Sequence, residues 1–257
     1  MSKANRLVNF IIVGTQKGGT TALDFYLRQH PDITMANKKE VHFFDHDNRY
    51  HRWRNLAYYH SHFDFSDANK VIGEATPSYM YCEAAIKRIY QYNAKIKLIA
   101  ILRNPVERAY SHWNMARLNK FESLPFRQAI AEERHRCQQL LPDICHRYSY
   151  TDRGFYSEQI RRLQRYFPDP QLLFLRHEWL KQSPAEALKS VTDFLNVSPF
   201  IEIEAKEVHS RPYANCLSDR DRQYLLELYE LEIKQQEKLL NWDLGDWRKA
   251  RPERKSM

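Results

Sequence analysis

Three of the chain's six glycines fall within eight residues, Gly14-Thr-Gln-Lys-Gly-Gly-Thr-Thr21. Average usage would supply roughly 18 glycines to a chain this long, so the clustering of a scarce residue marks one place. The block follows a short apolar run, Val8 to Val13, and precedes an amphipathic stretch. Strand, glycine turn and helix together make a phosphate cradle. Glycines admit the anion close to the backbone, several N–H groups converge on it, and the helix N-terminus adds partial positive charge. Gly14, Gly19 and Thr21 have the spacing of the nucleotide-triphosphatase loop G-x-x-x-x-G-K-[ST], but Thr20 stands where that loop has its lysine. The lysine here is Lys17, in mid-loop. From there it reaches whatever bridges a terminal phosphate to a transferred group. No acidic residue stands out as a magnesium ligand. The loop therefore reads as a cradle for a nucleotide with a short phosphate chain, held without metal.

A cradle of this kind needs a sheet behind it. Short apolar runs alternate with amphipathic stretches, which predicts an α/β fold with a central parallel sheet flanked by helices. Strands are expected at Val8–Val13, Val71–Ile72, Lys97–Leu102 and Leu172–Leu175. Helices are expected at Thr20–Gln29, at Pro105–Leu118 with proline in its first turn, and at Phe126–Arg136, Ser157–Phe167, Pro184–Leu195 and Ser218–Leu240. Ligands of such sheets bind at the carboxyl ends of the strands. With 257 residues, no internal repeat and no low-complexity linker, residues 1–257 read as one domain ending in a basic tail, 248–257.

Lysine and arginine number 40 against 32 acidic residues, a net charge of +8. That points to an anionic partner without choosing one. The tail holds five basic residues against one acidic, so half of the excess lies outside any pocket. The remainder suits one highly charged nucleotide better than a wrapped polyanion. No stretch approaches the roughly 18 apolar residues of a membrane span. Phe10–Val13 is too short for a signal-peptide core, so the expectation is a cytoplasmic protein. Cys82, Cys137, Cys145 and Cys216 match no zinc spacing and read as free thiols.

Phe10-Ile-Ile-Val-Gly-Thr-Gln-Lys-Gly-Gly-Thr-Thr-Ala-Leu23 resembles the 5′-phosphosulfate loop of sulfotransferases, in the branch that holds the heparan sulfate N- and 3-O-sulfotransferases and their bacterial relatives. The resemblance implies a P-loop nucleotide-kinase-like sulfotransferase fold. It also implies 3′-phosphoadenosine 5′-phosphosulfate (PAPS) as donor, leaving as adenosine 3′,5′-bisphosphate (PAP), with no metal required. It assigns Thr15, Gln16, Lys17, Gly18, Gly19, Thr20 and Thr21 to that donor. Lys39-Glu-Val-His-Phe-Phe-Asp45 resembles the acceptor-side motif of the 3-O-sulfotransferases, which implies Glu40 as the general base and His42 and Asp45 as parts of the acceptor site, with His42 assisting Glu40 or standing as the alternative base. An alcohol is a poor nucleophile, and a placed carboxylate or imidazole must take its proton. Glu40 and His42 share one face if the segment is extended.

Lys97–Trp113 resembles the family's 3′-phosphate segment, with Arg103 and Ser111 at the matching positions. Arginine can grip phosphate with two bonds. Arg108, in the same segment, is a secondary 3′-phosphate candidate that reads first as a solvated helix-surface residue. Val71–Tyr79 resembles the segment after the second strand, but Ala75 stands where the animal heparan enzymes carry an active-site lysine. Glu74 either places the acceptor, holds Lys17, or caps the Thr76–Ser78 turn. Arg153-Gly-Phe-Tyr-Ser-Glu-Gln159 resembles the family's Gly-x-Tyr segment, so Tyr156 either lines the ligand or starts a helix as a core aromatic. His209–Tyr213 lies where the family places a basic loop, which implies Arg211 as a second 3′-phosphate candidate.

Together these readings give a PAPS-dependent sulfotransferase acting on a hydroxyl of a glycan, a lipid or another small molecule. Its rivals are a P-loop kinase, which needs triphosphate and magnesium, and a non-catalytic polyanion or nucleic-acid binder, for which no recognised module is present. Acceptor choice is expected to lie in the aromatic and ionisable segments 47–64 and 119–149.

Overall fold

The computed structural model describes residues 6–52, 56–141, 147–202 and 216–249. The chain divides into two compact units, one of residues 1–103 with 160–210, the other of residues 104–159 with 211–257.

The first unit is built on five strands: β1 (Phe10–Gly14), β2 (Ile33–Met35), β3 (Val71–Ala75), β4 (Lys97–Leu102) and β5 (Leu172–Arg176). They lie in the order β2-β3-β1-β4-β5, and every pairing is parallel. Central strands β1 and β4 are buried almost throughout, as parallel strands covered on both faces must be. Phe10, Ile12, Ile99 and Ile101 on one face join Leu23 and Leu27 of α1 (Thr20–Leu27) in the main core. Leu188, Val191 and Leu195 of α9 (Pro184–Leu195) complete it. Burying each such side chain contributes about 1.5–3 kcal/mol. Because all five strands run the same way, all five following loops leave from one edge of the sheet.

The same unit holds α2 (Asp47–Arg52), α3 (Leu56–His60), α4 (Glu83–Tyr92) and α8 (His177–Gln182). The expected strand Lys97–Leu102 and helices Pro105–Leu118 and Pro184–Leu195 form over those residues. Strand β2 and helix α4 were not expected. β2 has only three residues, too few for a period, and α4 starts from Cys82 with no side-chain cap.

The second unit contains α5 (Pro105–Leu118), α6 (Phe126–Gln138), the start of α7 (Tyr156–Tyr166) and α10 (Asp219–Leu240). Asn104 caps α5 by accepting from the Val106 N–H at 3.0 Å, and Pro105 fills its first turn. Here one expectation is overturned. Arg108 has no exposed surface; it faces inward and donates to the Tyr150 carbonyl. Its surroundings are polar. Glu133 accepts from the N–H groups of Thr151 and Asp152, and Glu232 accepts from Ser157. The guanidinium charge acts on the nearby Glu133, which partly offsets the cost of burying it. Among the described residues, no helix is long and apolar enough to cross a membrane.

Candidate active site

The glycine loop leaves the carboxyl end of β1 and is held mainly by backbone. Thr15 donates twice to the Ile101 carbonyl, from N–H at 3.0 Å and from Oγ1 at 2.8 Å. Gly18 N–H donates back to the Thr15 carbonyl at 2.8 Å. A Cβ on Gly18 would lie 2.3 Å from the Ile101 carbonyl oxygen, so no side chain fits there. Lys17 and Gly19 have φ of 70° and 107°, and their left-handed turns wrap the loop. No side chain caps α1, so no cap occupies the N–H groups of Thr20 and Thr21 at its start. This cradle fits a phosphate-bearing ligand.

Two side chains brace it. Arg103, one residue past β4, donates from Nη1 to the Lys17 carbonyl at 3.2 Å. His177, one residue past β5, sets Nδ1 2.9 Å from the Gly18 carbonyl. Burial, with the nearby Arg103 charge, pushes His177 down to about 4, so the ring is neutral and Nδ1 donates. His177 was not anticipated. The signal was its place at the carboxyl end of an expected strand.

The acceptor-side motif follows β2 and is not extended. Glu40 and His42 both have positive φ, 61° and 54°. Side-chain alternation therefore does not bring them together; two left-handed residues do, with Glu40 N–H anchored to the Ala75 carbonyl at 2.9 Å. His42 Nε2 lies 3.7 Å from Glu40 Oε2, and its Nδ1 lies 2.7 Å from Asp45 Oδ2. Lys39 Nζ donates to the other Glu40 oxygen at 2.6 Å. Asp45 also accepts from Ser78 on the loop after β3. Burial alone would push the Glu40 carboxyl up. The His42 hydrogen bond and Lys39 outweigh it and bring Glu40 down to about 2. Burial would lower His42, but hydrogen bonds to Asp45 and Glu40 raise it to about 9. At neutral pH the pair is carboxylate and imidazolium.

Glu74 is completely buried. It accepts from Tyr59 at 2.7 Å, Thr76 at 2.7 Å and Tyr79 at 3.3 Å. Tyr79 Oη in turn accepts the Phe43 N–H at 3.0 Å. Glu74 is thus an internal anchor beneath the motif, not a group facing an acceptor. Tyr59, in one of the expected acceptor segments, is likewise buried and stacks on Phe43 with ring centroids 4.9 Å apart.

Thr15, Gln16, Lys17, Gly18, Gly19, Thr20, Thr21, Arg103, Glu40, His42, Asp45 and Glu74 all belong to the first unit. Ser111 and Tyr156 belong to the second, the former nearly buried on α5 and the latter fully buried at the start of α7. Arg211, the tail beyond Lys249, and Cys145 lie outside the described residues.

Comparison with known proteins follows the same lines. The family model for the sulfotransferase domain matches residues 8–254. The chain is 37% identical over 192 residues to heparan sulfate glucosamine 3-O-sulfotransferase 6 of Homo sapiens, covering 75% of this chain and 53% of that protein. It is 34% identical over 203 residues to heparan sulfate glucosamine 3-O-sulfotransferase 3B1 of Mus musculus, covering 77% and 48%. The chain thus spans about half the length of these relatives. The crystal structure of a sulfotransferase from Alicyclobacillus acidocaldarius superposes with a TM-score of 0.81 at 28% identity, covering 95% of this chain and all of that one.

Proposed function

The chain belongs to the sulfotransferase family, and from that premise we propose that it transfers a sulfuryl group from PAPS to a hydroxyl of a glycan acceptor. The observation that carries this reading is the placement of an ionised, half-exposed carboxylate, Glu40, on the same sheet edge as the glycine cradle. When bound, the donor supplies an activated sulfuryl group. Residues 15–21 hold its phosphosulfate, and Arg103 binds its 3′-phosphate. Lys17 stabilises the negative charge that grows on the bridging oxygen.

Glu40 takes the acceptor proton. With His42 raised to about 9, the imidazole already carries its proton, and the carboxylate is the member of the pair with a free site. A carboxylate near 2 is a weak base, so proton transfer accompanies attack, as the acceptor oxygen acidifies on bonding sulfur. His42, held by Asp45, orients Glu40. The relatives' names favour a glucosamine-containing acceptor, and Ala75 at the position of an expected lysine sets this chain apart from the animal heparan enzymes.

The test has two arms. Calorimetry compares adenosine 3′,5′-bisphosphate without metal against ATP with magnesium; tight ATP binding with no bisphosphate binding sinks the reading in favour of a kinase. Labelled PAPS is then offered with glucosamine-containing glycans, lipid alcohols and small alcohols. Transfer to the glycans is expected, and transfer only to the others overturns the acceptor assignment.

A further inference from the structure

The loop between β2 and α2 holds a donor set that sulfuryl transfer does not use in full. His42, Asp45 and His46 lie within five residues. One ligand atom from each can be chosen so that all three lie within 4.8 Å of one another. The two imidazoles meet edge to face, with ring centroids 5.5 Å apart. Zinc bonds to histidine and carboxylate are about 2.0–2.2 Å, which puts ligands of a tetrahedral site roughly 3.4 Å apart. The set is thus at most about 1.4 Å wider than a bound ion requires.

The surroundings match those of a metal site. Histidine ligands usually present their second nitrogen to a carboxylate. His42 does so: while Nδ1 faces Asp45, Nε2 faces Glu40 at 3.7 Å. Ser78 donates to Asp45 and orients that carboxylate. The loop itself is pinned. Arg49 donates to the Val41 and His42 carbonyls at 3.0 and 3.2 Å, and Arg88 to the Phe44 carbonyl at 2.8 Å. Arg49 is directed at the backbone, Arg88 at the Phe44 carbonyl and the Asp47 carboxylate, and Lys39 at Glu40. Two imidazoles with one carboxylate select borderline transition metals over magnesium or calcium.

We propose that His42, Asp45 and His46 form a site for a divalent transition-metal ion, Zn²⁺ or Co²⁺ in its place, whose occupancy blocks the acceptor side. Binding stands on the donor set alone; the block rests on the assignment of Glu40 and His42 to the reaction. The ion occupies His42 and Asp45, so the pair no longer orients Glu40 towards an acceptor hydroxyl.

The full chain is titrated with Zn²⁺ by calorimetry and with Co²⁺ by visible absorption, without chelating buffer. One equivalent and a Co²⁺ ligand-field band are expected. His46→Ala abolishes both, while Ser78→Ala weakens Zn²⁺ about tenfold or more. If His46→Ala does not fold by circular dichroism, His46→Gln replaces it. Sulfuryl transfer is then measured against Zn²⁺, each protein relative to its own metal-free rate. Wild type loses transfer and regains it with chelator, and the His46 variant does not respond. No binding by wild type, or undiminished binding by the His46 variant, overturns the site. Binding lost with His46 but without inhibition overturns the block alone. Zinc bound as expected by a protein that transfers no sulfuryl group keeps the site and removes the proposed function.

Discussion

The two loops to which donor and acceptor are assigned are built on opposite principles. The glycine loop, 14–19, is backbone machinery: its shape comes from glycines, a carbonyl-bound threonine and an uncapped helix, and Lys17 is the one charged side chain within it. The acceptor loop, 39–45, is side-chain machinery. It holds two non-glycine residues at positive φ, a conformation of order 1–3 kcal/mol each, and offsets that strain with a chain of charges from Lys39 through Glu40 and His42 to Asp45. A ligand with an invariant phosphate can be gripped by peptide groups. A hydroxyl that must lose its proton needs titratable groups whose charges are set by one another.

This contrast is sharpest in the two largest expected effects. Lys17→Ala should reduce transfer by about a hundredfold or more, through loss of charge stabilisation on the leaving oxygen. Glu40→Gln should reduce it by about 10²–10⁴-fold while leaving adenosine 3′,5′-bisphosphate binding unchanged. Steady-state transfer beside calorimetry separates them. Normal turnover in Glu40→Gln would remove the base assignment and break the comparison at its chemical end.

Smaller effects probe the frames. Gly18→Ala should weaken bisphosphate binding and lower stability by about 1–3 kcal/mol, since its methyl meets the Ile101 carbonyl on a central strand. Tyr79→Phe leaves the Phe43 N–H without its acceptor and should cost about 1–3 kcal/mol. Chemical denaturation reads both. The expected split is that Gly18→Ala alters donor affinity while Tyr79→Phe alters turnover at unchanged donor affinity. A Tyr79→Phe variant that also loses the bisphosphate would mean the two loops share one frame.

The glycine loop was legible from residue types because backbone function leaves a compositional trace: glycine at fixed spacing between an apolar run and a helix. Lys97–Leu102 and Pro105 were legible for similar local reasons. The acceptor loop was legible only as a resemblance, and its expected extended form was wrong. Positive φ at Glu40 and His42 is imposed by tertiary anchors, the Ala75 carbonyl and the Tyr79 hydroxyl, which no local propensity announces. Arg108 was misplaced for the same reason. An arginine in a polar helix reads as exposed, and only the carbonyl of Tyr150, 42 residues on, explains its burial. His177 was missed because a single histidine after a strand has no pattern.

A last expected effect separates the two frames by pH, through one titrating group in each. His177 braces the glycine loop as a neutral ring, lowered by burial from 6.5 to about 4. Below 6.5 the unfolded chain takes up a proton that the folded ring refuses, so this contribution is present above 6.5 and is lost as pH falls towards about 4. Glu74 anchors the acceptor loop, and burial raises it from 4.5 to about 7. Above 4.5 the unfolded carboxyl gives up a proton that the folded one retains, so this contribution is complete below 4.5 and is lost as pH rises through about 7. The two groups pull stability in opposite directions across one window. His177→Asn should flatten the fall of unfolding free energy between pH 6.5 and about 4. Glu74→Gln should flatten the decline between 4.5 and about 7. Denaturant titrations across the range measure both slopes. If both variants flatten the same limb, the two loops are not separately anchored.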